Sequence, residues 1–393
     1  MRVVVVSLDP GVPVFGGKGC SVHVQEVLRV LLAAGHDVHV VTTRPGGEPG
    51  AGLAGVRTHP VHLPGGRSRA EREQDLVAAD GQVAALVREL VAGADAGALV
   101  YERYALFGCA AQEVAAELGV PAVLEVNAPL PVEQARHRSL HDVATAWDRT
   151  RRALVAARRV VAVSSAVADW IRDLAPGADV RVVANGVDVD RFRPAGDPGR
   201  TGAAAPLRIA FVGAFRPWHG VHLLVEAVGR LRAQPGPALE LLLVGDGPER
   251  AAALARAAEL GLAVQAPGAV DPAQVPALLA RADVAVAPYP AGARYFSPLK
   301  VAEYLACGTA TVAATVGDLA TTYRDGTELL LVPAGDVDAL AVALQRLRTT
   351  PSLRAALGAA GRRAVVERGT WTRVVDRSLA GLSPVTTRQE VPA

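Results

Sequence analysis

The chain switches repeatedly between two hydrophobic periods. It opens with "RVVVVS", a β-branched run closed by the turn signal "DPG". "SVHVQEVLRVLLAAG" then places its apolar residues at helical spacing, with Ser21 expected as the N-cap and Gly35 as the C-cap. "DVHVVTT" returns to a strand pattern. This is a βαβ unit, and strands that are apolar throughout belong to a parallel sheet covered on both faces.

The alternation continues through the strands "ALVYER", "PAVLEVN", "RVVAVS" and "VRVVAN", with helices expected over 113–118, 140–157 and 166–174. Periodicity then fails. The stretch 196–206 is rich in Gly, Pro and Ala and predicts a linker. A second series begins at "LRIAFVGAF". It runs through helix 221–233, strand "LELLLVG", helix 249–260, "AVQAPG", helix 273–281 and strand "DVAVAPY". Helix 299–306, the strands "ATVAATVG" and "ELLLVP", and helices 337–348 and 352–367 complete it. An amphipathic helix is expected over 371–383, followed by a tail at 384–393.

The expected class is therefore α/β, with two doubly wound Rossmann-like domains at 1–195 and 207–370. Ligands of such folds bind outside the carboxyl ends of the strands, and two such edges predict a ligand cleft between the domains.

Composition narrows the partners. The net charge is +2 and only 4% of residues are aromatic, which argues against a nucleic-acid surface. Cys20, Cys109 and Cys307 are widely spaced, without a pairing or zinc pattern, as expected of reduced thiols in a cytoplasmic protein. The four-valine run is too short for a signal-peptide core, and no stretch is long and apolar enough to predict a membrane span. The segment from Glu133 to Arg159 is rich in Arg and His. It could lie on an anionic membrane or acceptor, but a solvated helix face is the commoner explanation.

The candidate chemistry starts from a scarcity. Lys18 and Lys300 are the only lysines, against thirty-nine arginines. Lys300 lies in "SPLKVAEYLACG". Ser297 there is an expected N-cap and Pro298 suits the first helical position. The next amides, of Leu299 and Lys300, lack intrahelical partners, so this helix start can hold an anion. Glu303 falls on the same face, where a carboxylate can accept ribose hydroxyls. The plain alternative is a capped helix with an internal Lys300–Glu303 pair.

"SPLKVAEYLACGTATVAA" is accompanied, in order, by "FGGKGCSVHVQEVLRVLLAAGHDVHVVT", "NGVDVDRF", "FVGAFRPWHGVHLLVEAV", "LLLVGDGPER" and "LAVQAPGAV". Over nearly its whole length the chain thus resembles the family 4 retaining glycosyltransferases, which have the GT-B fold. The resemblance implies a metal-independent hexosyltransferase using a nucleoside-diphosphate sugar, with UDP or GDP as carrier and no cofactor. It implies that Gly16 and Gly17 touch the donor diphosphate, that Gly213, Arg216, Lys300 and Glu303 contribute to the donor site, and that the final helix crosses back to the first domain. Lys18 is either a solvated loop lysine or a phosphate or acceptor contact.

Three departures stand out. Tyr295 occupies the place of a sugar-facing Glu. Ala214 and His219 replace an Arg and a Lys, leaving Arg216 and Lys300 to neutralise phosphate, with His219 as a further donor. Asn127 replaces a His beside the donor sugar and would bind a hydroxyl there. Lys300, Arg216 and Asn127 are the expected catalytic set. Glu125, Glu102 and Arg103 are candidates for acceptor recognition, or Glu102 and Arg103 form an internal ion pair. Asp188 has the place of a structural turn residue. The expected acceptor is a small molecule or specialised metabolite. A cell-envelope lipid or polysaccharide, a catalytically weak binding protein and a sugar-nucleotide epimerase are the alternatives.

Overall fold

A computed structural model describes residues 1–64, 68–137, 139–194, 206–292 and 299–382. The described chain divides into two compact units, Met1–Ala184 with the segment from Trp371 onward, and Asn185–Thr370.

The first unit runs β1 (Arg2–Ser7), α1 (Gly19–Ala33), β2 (Asp37–Thr42) and β3 (Arg57–Pro60). It continues through α2 (Arg69–Ala92), β4 (Ala98–Arg103), α3 (Ala110–Glu117), β5 (Ala122–Val126) and α4 (Leu130–His137). It then adds α5 (Val143–Ala156), β6 (Arg159–Ala162), α6 (Ser165–Leu174) and β7 (Val180–Val182). All seven strands are parallel, in the order β3-β2-β1-β4-β5-β6-β7. The order reverses between β1 and β4, whose pairing persists to their last residues, Ser7 opposite Arg103.

Alternation along the strands sorts the two faces. Val4, Val6 and Val100 pack with Val83 and Val87 of α2. Ser7, Tyr101, Arg103 and Glu125 alternate onto the other face, where His23 of α1 meets Glu125. Helix α1 starts two residues before the expected cap. Its N-cap is Lys18, which offers no side-chain cap, and Ser21 lies buried inside the first turn.

The sequence pattern does not single out α2, because two of its core-facing residues are acidic. Glu73 and Asp80, seven residues apart, are both buried. Glu73 accepts from the amides of His141 and Asp142, just ahead of α5. Asp80 accepts from the amides of Cys109 and Ala110 at the start of α3, and from Arg149 at 2.5 Å. Each carboxylate satisfies otherwise unpaired helix-start donors, which is why it tolerates burial.

The second unit holds β8 (Leu207–Val212), α7 (Val221–Leu231), β9 (Leu239–Val244), α8 (Arg250–Glu259) and β10 (Ala263–Gly268). Next come α9 (Val275–Leu279), β11 (Val284–Ala287), α10 (Leu299–Ala306) and β12 (Ala310–Ala314). The short α11 (Leu319–Thr322), β13 (Leu330–Val332), α12 (Val337–Thr349) and α13 (Pro351–Arg368) close it. Its six parallel strands take the order β10-β9-β8-β11-β12-β13, reversing between β8 and β11.

The sequence reading placed 185–194 in the first domain. Those residues belong instead to the second unit: Val187 and Phe192 are buried in its core. Arg362 fastens them by donating to the carbonyls of Phe192, Val189 and Ala306. Asp188 accepts from the amides of Asp190 and Arg191, a turn-forming role. Most of the expected linker, 196–205, and the tail lie outside the described residues.

Helix α14 (Trp371–Leu379) packs in the first unit. The Trp371 ring lies 4.7 Å from that of His23, and Arg159 donates to the carbonyls of Ser378 and Ala380. No helix among the described residues is long and apolar enough to cross a membrane.

Candidate active site

In the second unit the strand reversal is an opening. β8 and β11 pair only at Ile209–Ala210 against Val284–Ala285. Beyond that the Val212 amide and carbonyl have no strand neighbour on the β11 side. The Tyr304 hydroxyl replaces it, accepting from the Val212 amide at 2.9 Å and donating to its carbonyl at 3.2 Å. Lys300, one helical turn earlier on α10, enters the same opening.

The loops around it are set by glycine. Gly220 has φ +68, and a Cβ there would stand 2.0 Å from the Pro288 carbonyl oxygen. A Cβ on Gly245 would stand 2.1 Å from the Gly213 carbonyl oxygen, so the loops after β8 and β9 touch backbone to backbone. A Cβ on Gly213 would meet Lys300 Nζ at 2.9 Å and His219 Nδ1 at 3.6 Å. The sequence-predicted Gly213, His219 and Lys300 are thus brought together.

Lys300 Nζ is buried and has no hydrogen-bond partner among the described residues. It lies 4.9 Å from the Phe211 ring centroid and 5.3 Å from that of Tyr289. Burial pushes its pKa down to about 7, against a small opposing pull from Glu303. Burial likewise lifts the Glu303 carboxyl to about 7, with Arg191 and Lys300 opposing. No Lys300–Glu303 ion pair closes within 4 Å among the described residues, so the plain reading of a paired helix face does not hold. Two aromatic faces flank the Lys300 amine, and no carboxylate among the described residues pairs with it.

His219 differs from its expected role. Its Nδ1 bonds the Ala214 carbonyl, and therefore carries the ring proton. Burial and the nearby Lys300 lower its pKa to about 4. With Nδ1 so engaged, Nε2 is left as an acceptor while the ring is neutral. Arg216 is exposed, its guanidinium 5.9 Å from the Trp218 ring centroid.

In the first unit the glycine loop precedes α1. A Cβ on Gly16 would stand 2.7 Å from Pro13 Cγ. Gln25 of α1 donates to the carbonyls of Val14 and Gly16, both at 2.9 Å, and so fixes the loop. Gly17 and Lys18 are exposed, and Lys18 Nζ donates to the Gly11 carbonyl at 3.3 Å.

Asn127 Nδ2 donates to Glu125 Oε1 at 3.0 Å, which turns the amide oxygen away from Glu125. Glu125 is 3% exposed and accepts from Tyr101 at 2.9 Å, while His23 Nε2 stands 2.5 Å from its Oε1. Burial raises its pKa, but His23, Arg103 and Asn127 outweigh this and hold it at about 2. Glu125 is thus an anchor for Asn127, not an exposed acceptor contact. Glu102 is also no acceptor contact and no partner of Arg103. It is 1% exposed, takes a hydrogen bond from Gln112 and is driven by burial to about 8, hence neutral.

Sequence reasoning missed Phe211, Tyr289, Tyr304, His23 and Gln25. Phe211, Tyr289, Tyr304 and His23 act across long sequence separations, Gln25 acts on the loop just before its own helix, and none carries a local signal. Leu299 begins α10, while Tyr295, Ser297 and Pro298 lie outside the described residues.

Comparison with known proteins follows the same division. The family described as "Glycosyltransferase Family 4" matches residues 17–191, and "Glycosyl transferases group 1" matches residues 206–350. The alpha-maltose-1-phosphate synthase of Mycobacterium tuberculosis H37Rv is 30% identical over 416 residues, covering 96% of this chain and 98% of that protein. The chain belongs to glycosyltransferase family 4.

It is a retaining sugar transferase that takes its sugar from a nucleotide sugar, in a family that works without a metal ion. The D-inositol 3-phosphate glycosyltransferase of Salinispora arenicola is 29% identical over 406 residues, 93% of this chain and 86% of that one. The transferase has the GT-B fold. Sucrose-phosphate synthase from Thermosynechococcus elongatus superposes with a TM-score of 0.71 at 22% identity, covering 96% of this chain and 97% of that chain. Anabaena HepE, solved with UDP-glucose, gives a TM-score of 0.65 at 18% identity over 96% and 98% of the two chains.

Proposed function

We propose that this transferase moves a hexose from a UDP- or GDP-sugar to a small-molecule acceptor. The observation that carries the donor assignment is Lys300, a buried amine with no hydrogen-bond partner among the described residues, at the strand reversal of the second unit. A diphosphate supplies the anion that this cation lacks, and the amides at the start of α10 and Arg216 add further donors. Glu303, one turn on, accepts from the ribose. As the bond from the anomeric carbon to the leaving phosphate breaks, Lys300 and Arg216 stabilise the charge growing on that oxygen. The same oxygen takes the proton of the attacking hydroxyl, and the new glycosidic bond forms on the face the phosphate leaves. Asn127, its amide fixed by Glu125, binds a sugar hydroxyl.

Calorimetry with UDP, GDP, ADP and dTDP tests the donor site. One nucleotide should bind at least about tenfold more tightly than the others. Lys300→Ala should weaken it by about 1.5–3 kcal/mol, the range for a charge-assisted hydrogen bond. Unchanged affinity in both Lys300→Ala and Glu303→Ala would remove the assignment.

A further inference from the structure

Four polar residues at the edge of the first sheet form one connected set. Asn127 Nδ2 donates to Glu125 Oε1. The same oxygen stands 2.5 Å from His23 Nε2, and the Tyr101 hydroxyl donates to Glu125 Oε2. Arg103, the register partner of Glu125 on β4, adds an attractive charge. Glu125, His23 and Tyr101 are at most 3% exposed, while Asn127 is half-buried. The set therefore fixes one amide that a ligand can reach.

Both holders of Glu125 rest on α14, the last helix of the described chain. Its buried residues, Trp371, Val374, Val375 and Ser378, recur every three or four positions and make one face. The Trp371 ring packs 4.7 Å from the His23 ring, tilted by 60°. Ser378 is a hydrogen-bonding neighbour of the Tyr101 side chain. An indole packed on an imidazole restricts the rotamers open to the imidazole. Trp371 is also where the chain returns to the first unit, directly after Thr370, the last residue of the second.

We infer that α14 is a positioning element of the transfer site. Trp371 through His23, and Ser378 through Tyr101, hold Glu125 so that the Asn127 amide keeps its oxygen free to accept from a sugar hydroxyl. Neither Trp371 nor Ser378 touches substrate; each acts through two intervening side chains. The inference rests on reading Asn127 as a ligand of the donor sugar.

The readout is the difference between a nucleotide and its sugar nucleotide, by calorimetry on the full chain with UDP and UDP-glucose and with GDP and GDP-mannose. Trp371→Leu and His23→Leu should each weaken the sugar nucleotide about threefold to tenfold, the worth of one hydrogen bond, and leave the free nucleotide unchanged. Asn127→Ala should show the same loss, and adding Trp371→Leu to it should cost nothing more. Trp371→Phe and His23→Gln, which keep a ring and a donor, should restore most of the affinity. Equal losses for nucleotide and sugar nucleotide, additive losses with Asn127→Ala, or wild-type affinity in Trp371→Leu would each overturn the inference. If Trp371→Leu does not fold, His23→Leu takes its place in every arm. If no nucleotide binds, or Asn127→Ala binds both ligands as the wild type does, the reading of the site fails. A double-mutant cycle of Trp371→Leu with Glu125→Gln in urea then decides whether α14 holds Glu125, and additive losses there mean that it does not.

Discussion

The two sheets reverse strand order at equivalent points and finish them differently. In the first unit β1 and β4 stay paired to Ser7 and Arg103, and the polar side chains stand on a closed sheet. In the second unit β8 and β11 part after Ala210 and Ala285, and α10 fills the gap with Tyr304 and Lys300. The closed edge needs a side-chain network to present polar groups, with Glu125 held by Tyr101, His23 and Asn127. The open edge uses backbone proximity and one buried cation. This GT-B protein thus finishes the same strand reversal with a side-chain network in one unit and with glycine contacts in the other.

The same glycine substitution should separate the two edges most strongly. Gly220→Ala and Gly245→Ala each drive a Cβ into a carbonyl oxygen, and φ is +68 and +123 at these positions. Each should lose about 3 kcal/mol or more in urea denaturation. Gly16→Ala meets only the Pro13 side chain below 3 Å and should lose about 1 kcal/mol. Equal losses at all three sites would erase the contrast.

Ionisation comes next. The folded pKa of Lys300 is lowered from 10.5 to about 7, so the folded chain holds fewer protons than the unfolded one between these values. The stability of the free protein should therefore rise with pH across that window, and Lys300→Met should flatten the rise. Nucleotide binding at pH 8 should take up a proton, seen as a buffer-dependent enthalpy that vanishes in Lys300→Met. No buffer dependence in the wild type would mean that Lys300 does not titrate with the ligand.

Glu125 gives a slope of the same sign in a lower pH window. Its pKa falls from 4.5 to about 2, so its contribution is present above pH 4.5 and is lost as pH drops toward 2. Glu125→Gln should destabilise the protein by about 1–2 kcal/mol near neutrality. It should also lower kcat more than it raises KM for the donor, by freeing the Asn127 amide. The smallest effect lies at the amino ends of the first sheet. Burial lowers the pKa of His39, which shares hydrogen bonds with His59 and Asp37. Stability should fall as pH drops below 6.5, and His39→Gln should remove that part of the slope.

Much of the α/β alternation is legible from periodicity, and helix 299–306 has the expected bounds. What escaped has physical causes. Helix α2 hides because Glu73 and Asp80 lie on its buried side, satisfied by amides outside their own helix. The segment 185–194 carries no periodicity, because Arg362, about 170 residues away, holds its carbonyls. Lys300 could be picked out by its rarity. Its aromatic surroundings could not, since Phe211 and Tyr289 meet it only through the sheet. Neither could the tautomer of His219, which depends on the Ala214 carbonyl.

Tyr304 has a mechanical consequence. By bonding both the amide and the carbonyl of Val212, its hydroxyl bolts α10 to the central strand of its sheet. A helix fastened this way swings alone toward a ligand only by giving up both bonds. Lys300 and Glu303 travel with the whole sheet or stay where they are, and Tyr304→Phe would draw the bolt while leaving the helix in place.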